Sequence, residues 1–288
     1  MKNKSHSILA LIPPTDEGEL ILNQALYFQK ALGVRIFVLN VIKNLSLIFK
    51  LFHAKKTIHL KNDALVELRK HVKKVIQKEI PKNIILRVKS GEIVPTLINQ
   101  SKKGGYEFII IDQSKSSTEG ALGMAEIDKF VSQSHCPVLT VNKDYPVNNI
   151  KKIIIPIDVS QTTKKRLLWA TLFAKKFNAK IQIVSALNIN IDETKSLAFK
   201  QAEKITRMLT ERGVECDVKI LKAHKQEKHK VILEYIEEEK PELVIIRTHQ
   251  ESVFAGTNIH KFVSEIVHGC KMPVFTVCYS KKHFPSDI

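Results

Sequence analysis

The strongest constraint on this chain is that it repeats itself. Residues 8–13 match residues 153–158 in apolar character, and residues 25–33 sit over residues 170–178 at the same spacing. Ile36-Phe37-Val38-Leu39 answers to Ile181-Gln182-Ile183-Val184, and Glu107-Phe108-Ile109-Ile110-Ile111 to Glu242-Leu243-Val244-Ile245-Ile246. Lys129-Phe130-Val131-Ser132 recurs letter for letter as Lys261-Phe262-Val263-Ser264. Pro137-Val138-Leu139-Thr140-Val141 recurs as Pro273-Val274-Phe275-Thr276-Val277. Blocks recurring in one order denote a duplication. With 288 residues, each copy has enough chain for its own core. The expected domains are 1–147 and 148–288. Asp144-Tyr145-Pro146-Val147-Asn148-Asn149 links them, short and polar, so the halves are expected to pack together.

Within each copy, β-branched and aliphatic runs alternate with longer segments of helical period. Leu22, Ala25, Leu26, Phe28, Gln29 and Leu32 mark one face of the first helix. Strands separated by helices imply βαβ crossovers and a parallel sheet covered on both faces. The strands are expected near 7–12, 34–42, 83–89, 107–112 and 137–142, and again near 152–157, 179–186, 215–222, 242–247 and 273–278. Gly33 and Asn178 suit the left-handed position after a helix, and Gly104-Gly105 ends another.

Composition removes several classes. Apolar residues are 44% and charged residues 26% of the chain, a globular balance. No apolar run is long enough to span a bilayer, and the basic start of the chain leads into a strand-like run with no small-residue cleavage site. Cys136, Cys216, Cys270 and Cys278 form no CxxC pair, which points to reduced thiols and a cytoplasmic setting. The net charge of +17 favours anions without naming a partner. Nucleic acid is disfavoured as that partner, because there is no recognition motif and the single Trp169 lies on an expected helix.

The opening Ile155-Pro156-Ile157-Asp158-Val159-Ser160, the helix Ala170-Thr171-Leu172-Phe173-Ala174-Lys175-Lys176, and the closing Cys136-Pro137-Val138 and Met272-Pro273-Val274 runs resemble universal stress protein domains in tandem. The resemblance covers nearly the whole chain. It implies two Rossmann-like open α/β domains, each with a five-stranded, mainly parallel sheet of the adenine nucleotide alpha hydrolase-like kind. It also implies an intramolecular pseudo-dimer joined through Val138–Val141 and Val274–Val277; a homodimer and an unidentified protein partner stay open. The implied function is a non-catalytic stress-response protein acting through protein or small-ligand binding, with slow ATP hydrolysis not excluded.

Some members of the family bind ATP. Their pattern resembles an Asp closing the first strand, then Gly-x-x-Gly, nine residues, and Gly followed by Ser or Thr after the fourth strand. An Asp at a strand's carboxyl end can hold ribose or adenine, and glycines let backbone N–H groups close on phosphates. The first copy departs from this: Pro13 stands at the Asp position, Asp112 and Lys115 replace the paired glycines, and Met124-Ala125 replaces Gly-Ser. Gly120 and Gly123 have the right mutual spacing but lie late in the loop. The first copy is read as non-binding.

The second copy keeps Asp158 and Gly256-Thr257 but has Arg247 and Gln250 for the first two glycines, and only five residues separate Gln250 from Gly256. The expected nucleotide contacts are therefore Asp158, Ala186, Arg247, Gly256, Thr257 and Asn258, with ATP as the candidate cofactor. The competing reading is that Asp158 and Ser160 merely cap a helix.

Other features carry less. His224, His229, His249, His260 and His268 have no metal-site spacing and are expected at the surface or as caps. Cys136 and Cys278 are expected to pack as small apolar groups. The segment 45–56 pairs Leu45, Ile48, Phe49, Leu51 and Phe52 with lysines. It is expected to open the second helix or cover the sheet edge, and less so to touch a membrane or partner. No catalytic triad, carboxylate pair or Walker loop can be assembled.

Overall fold

A computed structural model of the chain describes residues 6–13, 15–42, 54–113, 122–157, 164–187, 196–223, 226–248 and 261–278, with side chains 16, 17, 54–57, 164–166, 197 and 198 left out. The chain divides into two compact units, Met1–Lys143 and Asp144–Ile288.

The first unit runs β1 (Ser7–Leu11), α1 (Asp16–Leu32), β2 (Arg35–Ile42), α2 (Ala54–Ile76), β3 (Ile84–Ser90), α3 (Ile93–Lys103), β4 (Ile109–Asp112), α4 (Met124–Gln133) and β5 (Val138–Val141). Its strands are parallel, in the order β3-β2-β1-β4-β5. The second unit runs β6 (Lys152–Pro156), α5 (Lys164–Phe177), β7 (Lys180–Leu187), α6 (Leu197–Thr210), β8 (Cys216–Lys222), α7 (Lys228–Glu239), β9 (Leu243–Arg247), α8 (Lys261–Gly269) and β10 (Val274–Val277). Its order, β8-β7-β6-β9-β10, is the same walk from edge to edge. Every expected strand is present within two residues of its expected bounds.

The central strands dictate this arrangement. Ile8, Leu9 and Ala10 are wholly buried, as are Ile153, Ile154 and Ile155. A strand apolar on both sides needs helices over both faces, which parallel crossovers supply. On α1, Ile21, Leu22, Ala25, Phe28 and Leu32 turn inward at helical spacing, and Phe28 meets Phe108 edge-on at 5.5 Å. In the second unit Trp169, Phe173 and Phe275 form the aromatic centre, with Trp169 5.1 Å and Phe173 4.9 Å from Phe275. The helix ends follow expectation at Gly33 (φ 70°) and Asn178 (φ 53°), while of the Gly104-Gly105 pair it is Gly105 that turns left-handed (φ 65°).

The duplication extends to individual hydrogen bonds. The Ile12 N–H donates to the Leu39 carbonyl at 2.8 Å, and the Ile157 N–H to the Val184 carbonyl at 2.8 Å. The Ile109 N–H donates to Pro137 at 3.0 Å, and the Val244 N–H to Pro273 at 2.9 Å. Glu107 and Glu242 both fasten the amino edge: Glu107 pairs with His6 at 2.7 Å, and Glu242 accepts from the Lys151 and Lys152 N–H groups at 3.0 and 2.7 Å. The copies differ most between their second and third strands, where α2 has 23 residues and α6 has 14. Residues 45–53 of the segment singled out above lie outside the described residues. From residue 58 onward, α2 carries Ile58, Leu60 and Val66, three of the four exposed large apolar side chains among the described residues.

At the start of α1 the chain comes too close to itself for a side chain. A Cβ on Gly18 would stand 1.9 Å from the Pro13 carbonyl oxygen and 2.9 Å from Ile12 Cγ2. Gly18→Ala therefore loses about 1–3 kcal/mol, since the backbone contact outweighs the gain of about 1 kcal/mol in helix propensity. Asn23→Ala, on the exposed side of the same helix, stays within about 0.5 kcal/mol. Urea unfolding of both variants checks this, and an unchanged Gly18→Ala midpoint refutes it.

Candidate functional site

In an open α/β sheet, ligands collect outside the carboxyl ends of the strands where the strand order reverses. That point lies between β1 and β4 in the first unit and between β6 and β9 in the second.

At that edge of the first unit Pro13 follows β1, Asp112 ends β4, and α4 begins the next crossover. Asn40 Nδ2 donates to the Ile12 carbonyl at 3.2 Å, holding the end of β1, and the chain then turns at Pro13 onto Gly18. Asp112 ends β4, half-buried and paired with Val141. The Gly123 carbonyl accepts from the Glu126 and Ile127 N–H groups at 3.0 and 2.9 Å, which starts α4. Glu126 then folds back, its Oε2 accepting from the Gly123 N–H at 2.9 Å. A carboxylate thus occupies the positive end of the helix, where an anionic ligand would have to sit. Asp112 carries the wrong charge for a phosphate, so two carboxylates oppose an anion here, and Pro13 offers no acceptor to a nucleoside. The sequence reading missed Glu126; its signal was Gly-x-x-Glu ahead of the apolar Ile127, Phe130 and Val131.

The second unit repeats the scaffold. Ser185 Oγ donates to the Ile157 carbonyl at 3.1 Å, as Asn40 does to Ile12. Thr248, buried just after β9, donates from its N–H to the Val277 carbonyl at 3.1 Å. Arg247 ends β9, half-buried and paired with Val277, and so stands at the carboxyl edge. Ala186 is buried next to the end of β7, paired with Leu221. Asp158, Gly256, Thr257 and Asn258 lie outside the described residues, as do Gln250, His224, His249 and His260.

Residues 149–277 match the family model described as the universal stress protein family. That match spans most of the second unit. No curated protein matches the chain in sequence. Among solved structures, a universal stress protein from Archaeoglobus fulgidus DSM 4304 covers 96% of this chain and 99% of its own, with a TM-score of 0.67 and 20% identity. A protein of Pseudomonas aeruginosa UCBPP-PA14, provisionally assigned to universal stress proteins, covers 96% and 94% with a TM-score of 0.64 and 18% identity. A functionally unknown protein of Pseudomonas aeruginosa PAO1 covers 96% and 93% with a TM-score of 0.58 and 17% identity. These likenesses carry the universal stress fold over both units, which is the α/β architecture expected from the sequence.

Of the histidines expected at the surface or as caps, His229 is instead buried on α7, only 7% exposed. Its Nε2 stands 3.5 Å from Glu227 Oε2 and 3.9 Å from Glu265 Oε2. Among the described residues, no three His, Cys, Asp or Glu side chains converge as metal ligands. Nor is any described helix long and apolar enough to cross a membrane.

Cys136 and Cys278 are buried, as expected of small apolar groups. Burial pushes the Cys270 thiol up to about 12 and the half-buried Cys216 thiol up to about 11. Burial, reinforced by the Glu239 carboxylate, raises the Tyr235 phenol to about 12. All three keep their protons in the folded state at a pH where the unfolded chain begins to lose them. Their contribution is therefore complete below about pH 8.5 and is lost as the pH climbs toward 11–12. The urea midpoint should fall between pH 8.5 and 10.5, and fall less steeply in Cys270→Ala. A midpoint flat across that range contradicts this account.

Proposed function

We propose that the chain is a non-catalytic stress-response protein that works by binding a small ligand or a protein partner, and that its small-ligand site is an adenine nucleotide site in the second unit alone. The observation that carries this reading is the difference between the two phosphate-side helices. Aligning Lys129-Phe130-Val131-Ser132 with Lys261-Phe262-Val263-Ser264 places Asn258 opposite Glu126, and Gly256-Thr257 opposite Met124-Ala125. The first unit closes its helix N-terminus with its own carboxylate. The second has a neutral amide and a glycine at the matching positions.

On this reading Asp158 takes the ribose or adenine, Ala186 lines the nucleoside side, and Arg247, Gly256, Thr257 and Asn258 face the phosphates. The first unit is a second universal stress protein domain that has lost its site. We further propose that Val138–Val141 and Val274–Val277 pair in one pseudo-dimer. Each is an apolar edge strand of its own unit, and an open edge of that kind invites aggregation. A photo-crosslinker at Thr140 should capture peptides containing Thr276; failure to do so removes the pairing. A homodimer, an unidentified protein partner and a cytoplasmic setting complete the proposal.

Arg247 and Gln250 bring side chains to positions where the family pattern has bare backbone, so binding should be weak. The expected dissociation constant for ATP is about 0.1 mM or weaker, near −5.5 kcal/mol. Calorimetry on the full chain and on Asp158→Ala tests this. Loss of binding in Asp158→Ala supports the site, whereas micromolar binding that survives the substitution places it elsewhere. Nucleic acid should bind only weakly and release near physiological salt, because counterion release sets such binding. Tight filter binding that persists there would make nucleic acid the ligand instead.

A further inference from the structure

The duplication supplies an internal reference for the shared elements, and among the buried positions that depart from it in chemistry one carries an imidazole. Helices α3 and α7 both start after a glutamate, Glu92 and Glu227. Their inward positions correspond in order: Val94, Leu97 and Ser101 on α3, His229, Ile232 and Ile236 on α7. His229 thus fills a place that the sister unit gives to a valine. The register of α4 and α8 sets Glu265 opposite Gln133. Both members of the His229–Glu265 pair are therefore peculiar to the second unit.

A buried imidazole is costly unless polar groups meet it. Among the described residues, the carboxylates within 4.0 Å of a His229 ring nitrogen are those of Glu227 and Glu265; β7 and β8, which also pack against α7, place no carboxylate there. Glu227 in turn accepts from Lys261 Nζ, the first residue of α8, at 2.8 Å, and lies 3.4 Å from Lys230 Nζ. Lys261 holds the Glu227 carboxyl below its usual range, and Glu227 raises the Lys261 ammonium. The far ends of the two helices are also fastened. A Cβ on Gly269 would stand 2.7 Å from Leu233 Cδ1, and Lys271 pairs with Glu237 at 2.9 Å. The His229 end is thus the end of this helix pair that is fastened around a buried imidazole.

We infer that His229 is a positioning residue whose imidazole couples α7 to the first turn of α8 through Glu265 and the Glu227–Lys261 pair. Lys261 is the third residue after Asn258, so the coupling reaches the phosphate side of the site. That consequence rests on the nucleotide reading; the coupling itself does not.

The test is nitrogen-15 and imidazole NMR on the full chain between pH 5.5 and 8. The expected result is that the amides of residues 261–265 shift with the midpoint of the His229 ring. In His229→Val, the residue the sister unit carries, that component disappears; in Glu265→Gln, copying Gln133, it shrinks. His260 and His268 are near the same amides in sequence, and His229→Val leaves their contribution in place. Should the valine variant not fold, His229→Gln serves the same comparison. Amides that follow another midpoint, or respond unchanged in these variants, overturn the coupling.

ATP calorimetry on the same proteins separates the two claims. His229→Val should weaken ATP by about fivefold or more. Tracking of His229 without any ATP binding sinks the nucleotide reading and leaves the coupling. ATP binding without tracking does the reverse.

Discussion

The rest of the structure depends on the complete burial of one short strand in each unit, Ser7–Leu11 and Lys152–Pro156. Ile8, Leu9, Ala10 and Ile153, Ile154, Ile155 have no exposed surface, so each strand must be flanked by two others and covered by helices above and below. Parallel neighbours joined by crossovers meet that demand, and right-handed crossovers bring every strand-to-helix turn to the same edge. Pro13, Asp112 and Gly123 come from distant parts of the chain, yet all follow or end at that edge. The candidate site is a consequence of burying an apolar strand.

Because the scaffold is used twice, its differences can be separated from its requirements. The carbonyl after the central strand is held by a side chain in both units, from Asn40 in one and Ser185 in the other. The donor changes but the bond stays, which marks it as part of the architecture. Glu107 and Glu242 likewise both fasten the amino edge, one on the His6 ring and the other on the Lys151 and Lys152 N–H groups. By contrast, Val94 against His229 and Gln133 against Glu265 change charge or polarity within helices that both units share, and in sequence Glu126 is answered by Asn258. Those positions are where the two halves can differ in what they hold.

The alternation of aliphatic runs with helical periods made all ten strands legible in the sequence, since β-branched residues on a doubly buried strand leave little ambiguity. The repeat then placed Arg247 and Asp112 at corresponding strand ends. Side-chain roles were less legible where neighbours in sequence mislead. His229 sits between Lys228 and Lys230 and so reads as surface, although it lies three residues before Ile232 and seven before Ile236, on the buried stripe. Glu126 reads as an ordinary surface acid until the helix is known to begin at Met124. Gly104 looked as suitable as Gly105 for the left-handed turn, but a Cβ on Gly104 would stand 2.0 Å from the Tyr106 ring, and Gly104 keeps helical angles. Packing against that ring, which the sequence does not display, fixes which glycine turns.

The chain's charge of +17 draws anions to both units alike, because it is a long-range property screened within about 8 Å at physiological ionic strength. Discrimination between the two units must therefore come from groups inside that distance. In the first unit the Gly123 N–H before the helix is taken by Glu126 at 2.9 Å, and a phosphate arriving there would have to displace one carboxylate and face Asp112 as well. A carboxylate held at the helix terminus takes one donor and adds a negative charge where a phosphate would need compensation for its lost water. In the sequence of the second unit an amide, Asn258, stands where that carboxylate does. A handful of atoms at one helix end can thus decide which half of a duplicated protein receives a ligand, while the fold and overall charge of the two halves stay the same.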